Sequence, residues 1–164
     1  MTDQNFSAMI KKFNEMYGLE SNDRPSLLSS ERIARFRSIL HEEIEEGIEL
    51  EENMKKNDTD GQQKNLEVLT ELSDWLGDII VYCASEARRW GIPLEPVLKI
   101  IMESNFSKLD ANGQPIYDSR GKVLKGPNYW KPEAKIAEVL RDSIEIDQGK
   151  EKGFSRHQGA EMAD

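Results

Sequence analysis

With 22 Lys and Arg against 31 Asp and Glu in 164 residues, the chain carries a net charge of −9. It is long enough for one domain to bury a core without disulfides or a structural metal, and its overall field argues against binding a nucleic-acid polymer. The only cysteine, Cys83, lies in an apolar run, and neither a signal peptide nor an apolar stretch of about 18 residues is present. The expectation is a soluble, cytoplasmic protein with no membrane partner.

Residues 3 to 17 place Phe6, Met9, Ile10, Phe13, Met16 and Tyr17 on one face at helical spacing, with Gly18 as a stop. After a loop containing Pro25, Ser29 or Ser30 can cap a second helix with the apolar stripe Ile33, Phe36, Leu40, Ile44 and Ile48, ending before Asn57. Residues 57 to 63 have loop chemistry, and a third helix is expected from about Asn65 to Trp90, stopped by Gly91. A fourth, over about 93 to 109, carries Leu94, Val97 and Ile101 on one face, which Asn105 and Lys108 continue.

The pattern then changes. Asn112-Gly113 and Asp118-Ser119-Arg120-Gly121 are turn sequences flanking Gln114 to Tyr117 and Lys122 to Lys125, which predicts a small hairpin. Gly126-Pro127-Asn128-Tyr129-Trp130 forms a loop, and Pro132 opens a last short helix through Ile136, Val139 and Leu140. The expected fold is all-α, a four- to five-helix bundle with a small C-terminal β-hairpin, forming one domain over 1–141 with a flexible polar tail over 142–164. No internal repeat stands out.

Two acidic segments carry the chemistry. A run such as Glu42, Glu43, Glu45, Glu46 and Glu49 is ordinarily a solvated helix face. If Ile33, Leu40 and Ile44 point inward, Glu42, Glu45 and Glu49 point to solvent, whereas Glu43 and Glu46 can face a neighbouring helix. On the third helix Leu69, Leu72, Leu76, Ile80, Cys83 and Ala87 form the apolar face, with Glu67, Glu71, Asp74 and Asp78 opposite. Trp75, Ile79, Val81 and Tyr82 flank Asp78, so this acid is expected to be buried and to need a cation or a hydrogen-bonding partner.

About five carboxylates brought together would repel unless a cation neutralised them. All-oxygen ligands suit Mg2+, or Mn2+, rather than zinc, and the Glu-x-x-His pairs of di-iron bundles are absent. A divalent cation held by few carboxylates keeps positions for water and substrate phosphate oxygens, which points to hydrolysis of a phosphate ester or anhydride.

The arrangement Glu43-x-x-Glu46, 24 residues, Glu71-x-x-Asp74 resembles the metal-binding signature of the all-α nucleoside triphosphate pyrophosphohydrolases, the superfamily of MazG, dimeric dUTPases and phosphoribosyl-ATP pyrophosphohydrolase. The likeness extends through Asn105-Phe106-Ser107-Lys108-Leu109 and Gly121 to Trp130, which looks like the MazG-like and phosphoribosyl-ATP pyrophosphohydrolase-like branch found in bacteria and phages. It implies a helical homodimer or homotetramer that cleaves a nucleotide substrate between the α and β phosphates, with magnesium as cofactor. Glu43, Glu46, Glu71 and Asp74 would be catalytic residues and metal ligands. Some members carry Asp-x-x-x-Asp as the second pair, which matches Asp74 and Asp78, so Asp78 is included. Asn105, Lys108, Lys125, Asn128 and Tyr129 would contact substrate.

Phosphoribosyl-ATP hydrolysis and a non-catalytic helical dimerisation module are the alternatives. Trp75, Tyr129 and Trp130 could stack on a base, although aromatics at these spacings more often belong to the core. Cys83 is expected in the core, and His41 and His157 belong to no motif.

Overall fold

The computed structural model of the chain describes residues 5–56 and 62–144. Helices α1 (Phe6–Met16), α2 (Ser30–Lys56), α3 (Gln62–Arg89) and α4 (Leu94–Phe106) are followed by α5, helical from residue 133 through 144. The chain is all-α, as its periodicities predict. The expected tail beyond Asp142 therefore begins inside a helix, and residues 145–164, with His157, lie outside the described residues. No helix among the described residues is long and apolar enough to cross a membrane.

Local chemistry sets the helix ends. The Asn5 side chain accepts from the Ala8 N–H at 2.9 Å and caps α1, and Gly18, at φ +63°, turns the chain away from it. Arg88 and Arg89 fall in the last turn of α3, where positive charge complements the helix dipole.

The chain divides into two compact units. The first comprises residues up to Ser21 together with Ser26–Trp90 and contains α1, α2 and α3; α1 and α2 each pack on α3. Its apolar interior is small, with Ile10, Ala84 and Ala87 buried, and much of what is buried is polar. Asn14 is fully buried, accepting from Ser85 Oγ at 2.6 Å and donating through Nδ2 to the carbonyls of Glu20 and Ser85 at 3.1 and 3.2 Å. The expected apolar face of α1 is thereby corrected. Ile10 and Asn14 face inward, and Phe6, Met9, Phe13, Met16 and Tyr17 are exposed.

The stripes of α2 and α3 need the same correction. Ile33, Ile44 and Ile48 on α2, and Leu69, Leu76, Ile80 and Cys83 on α3, are exposed. The residues that are at least half-buried along the pair instead include Phe36, Leu40, Glu43, Gly47 and Leu50 on α2 and Val68, Leu72, Trp75 and Ile79 on α3, and Trp75 meets Glu43 and Gly47. Periodicity reports that a stripe exists but not which neighbour covers it.

The second unit comprises Asn22–Pro25 and the chain from Gly91 onward, with α4 and α5. Its predicted hairpin is reduced to isolated antiparallel bridges, Leu109 with Pro115 and Tyr117 with Val123. Both bridges close the same five-residue turn, an eight-residue repeat too short and too divergent to stand out in the sequence. Asp110 Oδ1 accepts from the N–H groups of Asn112 and Gln114 at 2.8 Å, and Asp118 Oδ1 from those of Arg120 and Lys122 at 2.9 Å. Gly113 and Gly121, at φ +76° and +78°, complete the turns. So much of the segment goes into turns that no strand forms there.

Candidate functional site

Trp75 and Gly47 set the register of α2 against α3. The Trp75 indole N–H donates to the Glu43 carbonyl at 2.7 Å, and its ring lies so close to Gly47 that an added Cβ would stand 2.6 Å from it. Trp75 is therefore committed to the helix interface. Farther along the pair, Arg32 Nε donates to Glu86 Oε1 at 3.1 Å and Trp90 Nε1 donates to the same oxygen at 2.6 Å. These contacts fix an antiparallel register. Carried along both helices, it sets Glu42 level with Asp78, Glu46 with Asp74, and Glu49 with Glu71.

A cleft of about 410 Å³ opens along this line. It is lined by Glu46, Glu49, Glu71, Asp74 and Asp78 together with Asn53, Leu50 and Trp75. Four of the five expected metal ligands thus share one cleft. Glu49, predicted to be solvent decoration, lines it too, because an acid three residues beyond Glu46 lies on the same edge of α2. Glu42 and Glu45 are exposed, as expected, and His41 pairs with Glu45 at 3.9 Å at the surface.

The buried acid is Glu43. Asp78, expected to be enclosed, is exposed, because its side of α3 opens onto the cleft. Glu43 retains 5 % of its accessible surface, and its Oε2 is buried without a hydrogen-bond partner among the described residues. Burial raises its carboxyl above the ordinary range, and the charges of Glu46, Asp78 and Glu42 raise it further. Tyr82, one turn beyond Asp78, is raised by burial and then by Glu43, Asp78, Glu46 and Glu42, which keeps its phenol protonated beside the acids. In the sequence Tyr82 stands out only as one of the residues flanking Asp78. Cys83 is exposed rather than in the core, although partial burial raises its thiol.

This donor set fits a hard divalent cation. It is all oxygen, and it contains one buried carboxylate oxygen that no described residue satisfies. Among the described residues no three carboxylate, imidazole or thiol groups converge closely enough to chelate an ion as placed. Glu46, Glu49, Glu71, Asp74 and Asp78 are all exposed, so the rotations that would bring them together meet little packing resistance.

The second unit holds the expected substrate-binding residues. Asn105 is exposed at the end of α4, and Lys108 is half-buried just beyond it. Lys125 Nζ lies 4.6 Å from the Tyr129 ring centroid, and Asn128 is exposed within the turn closed by the Tyr129 N–H on the Gly126 carbonyl at 3.2 Å. Trp130 is engaged by Lys135, 3.8 Å from its ring centroid, and its carbonyl accepts from Ser104 Oγ at 2.8 Å.

No family model matches the chain, and no curated protein matches it in sequence. Among solved structures it is similar to the crystal structure of a "putative NTP pyrophosphohydrolase" from Exiguobacterium sp. 255-15, at 22% identity over 88% of this chain and 99% of that one, with a TM-score of 0.46.

Proposed function

We propose that the chain is a magnesium-dependent nucleotide pyrophosphohydrolase that cleaves nucleoside or deoxynucleoside triphosphates between the α and β phosphates, releasing a monophosphate and pyrophosphate. The observation that supports this reading is the unpartnered, buried oxygen of Glu43 beside the Glu46 and Asp78 charges. A buried carboxylate among other carboxylates is costly unless a cation compensates it. Glu43, Glu46, Glu71, Asp74 and Asp78 would hold Mg2+, or Mn2+. A bound divalent cation supplies charge neutralisation at phosphate oxygens and acidifies water.

The chain's own groups do the rest. A carboxylate of the cleft, Glu71 or Asp78, orients the attacking water and takes its proton. Asn105, Lys108, Lys125 and Asn128 donate to phosphate and sugar oxygens, and Tyr129 positions Lys125. The active form is a homodimer or homotetramer.

The test is pyrophosphate release from a panel of nucleotides, with and without Mg2+. Glu46→Ala and Asp74→Ala should each abolish turnover and cation binding, and turnover unchanged by either would end the metal-site reading. Release from phosphoribosyl-ATP alone would keep the site and replace the substrate. The exposed apolar stripes also suit a non-catalytic dimerisation module, for which the same substitutions would cost no more than about 0.5 kcal/mol of stability and no activity would exist to lose.

A further inference from the structure

A second cleft of the first unit, of about 460 Å³, is lined by Glu20, Ser29, Glu31, Arg32, Arg35 and Arg89. On α2 eleven residues, roughly 16 Å of helix, separate Arg35 of this cleft from Glu46 of the carboxylate one, so the two clefts are distinct. Its volume lies in the range of small-ligand sites.

Three guanidinium groups in one cleft are unusual in a chain of net charge −9. Two of them are held in place. Arg32 reaches the buried Glu86 with Nε at 3.1 Å and Nη2 at 2.9 Å, and its side chain is 12% exposed. Arg89, equally shielded, donates through Nη1 to Glu20 at 2.6 Å and stands 3.8 Å from Glu86. A guanidinium has five N–H donors, so fixing Arg32 on Glu86 uses one edge of the group and leaves other donors for the cleft. Arg35 is exposed and attracts Glu31.

A carboxylate already sits at this site. Glu31 is exposed, and hydrogen bonds from Ser29 and from its own backbone N–H hold its carboxyl below the ordinary range. A phosphoryl group would outcompete it there, having more charge and three acceptor oxygens. Glu20, Glu31 and the buried Glu86 together offset all three lining cations, so recognition would rest on donors fixed in position and not on net field.

We propose that this arginine-lined cleft binds a phosphoryl group, which displaces the Glu31 carboxylate and is gripped by Arg35 together with the pre-positioned Arg32. The inference does not depend on the proposed hydrolase activity. Inorganic pyrophosphate is the probe, titrated calorimetrically into the full chain in chelator, so that cation-mediated binding at the carboxylate cleft does not contribute. Wild type should bind saturably. Arg35→Ala should weaken binding roughly tenfold or more, the equivalent of one charge-assisted contact. Glu31→Gln should tighten it, and the double variant Glu46→Ala, Asp74→Ala should leave it unchanged. Arg35 is exposed, so its loss should leave the helical circular dichroism intact. Absence of saturable binding in both wild type and Glu31→Gln would overturn the proposal, as would an affinity that ignores Arg35→Ala or follows the Glu46 and Asp74 changes.

Discussion

Glu43 is the residue on which stability and proposed function meet. Its carboxyl is raised, so the folded protein keeps a proton that the unfolded chain has released, and the linkage has a definite sign. Stability from this group is fully present below the ordinary value of 4.5 and is lost as pH rises through the raised value. In chelator, thermal melts of wild type should fall relative to Glu43→Gln as pH rises from 4.5 toward neutrality. Near pH 7 the glutamine variant should be more stable by about 1 kcal/mol, the order of relieving one buried unpaired charge that is partly hydrated. The comparison isolates Glu43, because Glu20, held low by Arg89, and Glu31, held low by Ser29, act with the opposite sign in both proteins. Mg2+ should reverse the order by stabilising wild type and not the glutamine variant. Equal melts at every pH would mean that the Glu43 carboxylate finds its compensation within the chain.

At the scale of the helix pair, one rule places both faces. On α2, Glu42, Glu46 and Glu49 each precede an interface residue, namely Glu43, Gly47 and Leu50; on α3, Glu71, Asp74 and Asp78 precede Leu72, Trp75 and Ile79. In an antiparallel pair, positions one step before the seam fall on the same side for both helices, and positions one step after it fall on the other. The acids therefore fall on one side of the pair, and all of them but Glu42 line the cleft. The sequence made both helices and the acidic cluster legible, because a period of 3.6 needs no knowledge of neighbours. It could not show where the seam runs. That depends on Gly47 admitting the Trp75 ring, and a glycine within an acidic helix carries no such label. Asp78, expected to be buried, is consequently exposed, Glu43, expected to face a neighbouring helix, is buried, and Glu49 enters the cleft unforeseen. Gly47→Ala tests the seam. Alanine gains about 1 kcal/mol of helix propensity over glycine, whereas overpacking against a rigid ring costs about 1–3 kcal/mol. With the added carbon 2.6 Å from the ring, the clash should win, lowering the melting temperature and shifting Trp75 fluorescence. A stabilised variant would show that the ring can move aside.

Over the whole molecule, the same rule leaves an apolar surface that the described residues do not cover. Ile44 and Ile48 follow Glu43 and Gly47, and Leu69, Leu76 and Ile80 follow Val68, Trp75 and Ile79, so these five share the side of the pair opposite the acids. Ile44 is 56% and Ile80 58% exposed. Fully burying one such side chain contributes about 1.5–3 kcal/mol, and a contiguous exposed set of this kind marks an interface. A second copy is the natural cover, because a two-fold axis sets each stripe against its equivalent and leaves the acidic clefts facing outward. Sedimentation should therefore find wild type as a dimer or tetramer. Ile44→Lys with Ile80→Lys should give a monomer with its helical circular dichroism retained, since neither side chain belongs to the α2–α3 seam. If wild type sediments as a monomer at micromolar concentration, the stripe belongs to a partner other than this chain. If the double variant still associates, the exposed face of α1, with Phe6, Met9 and Met16, becomes the surface to test next.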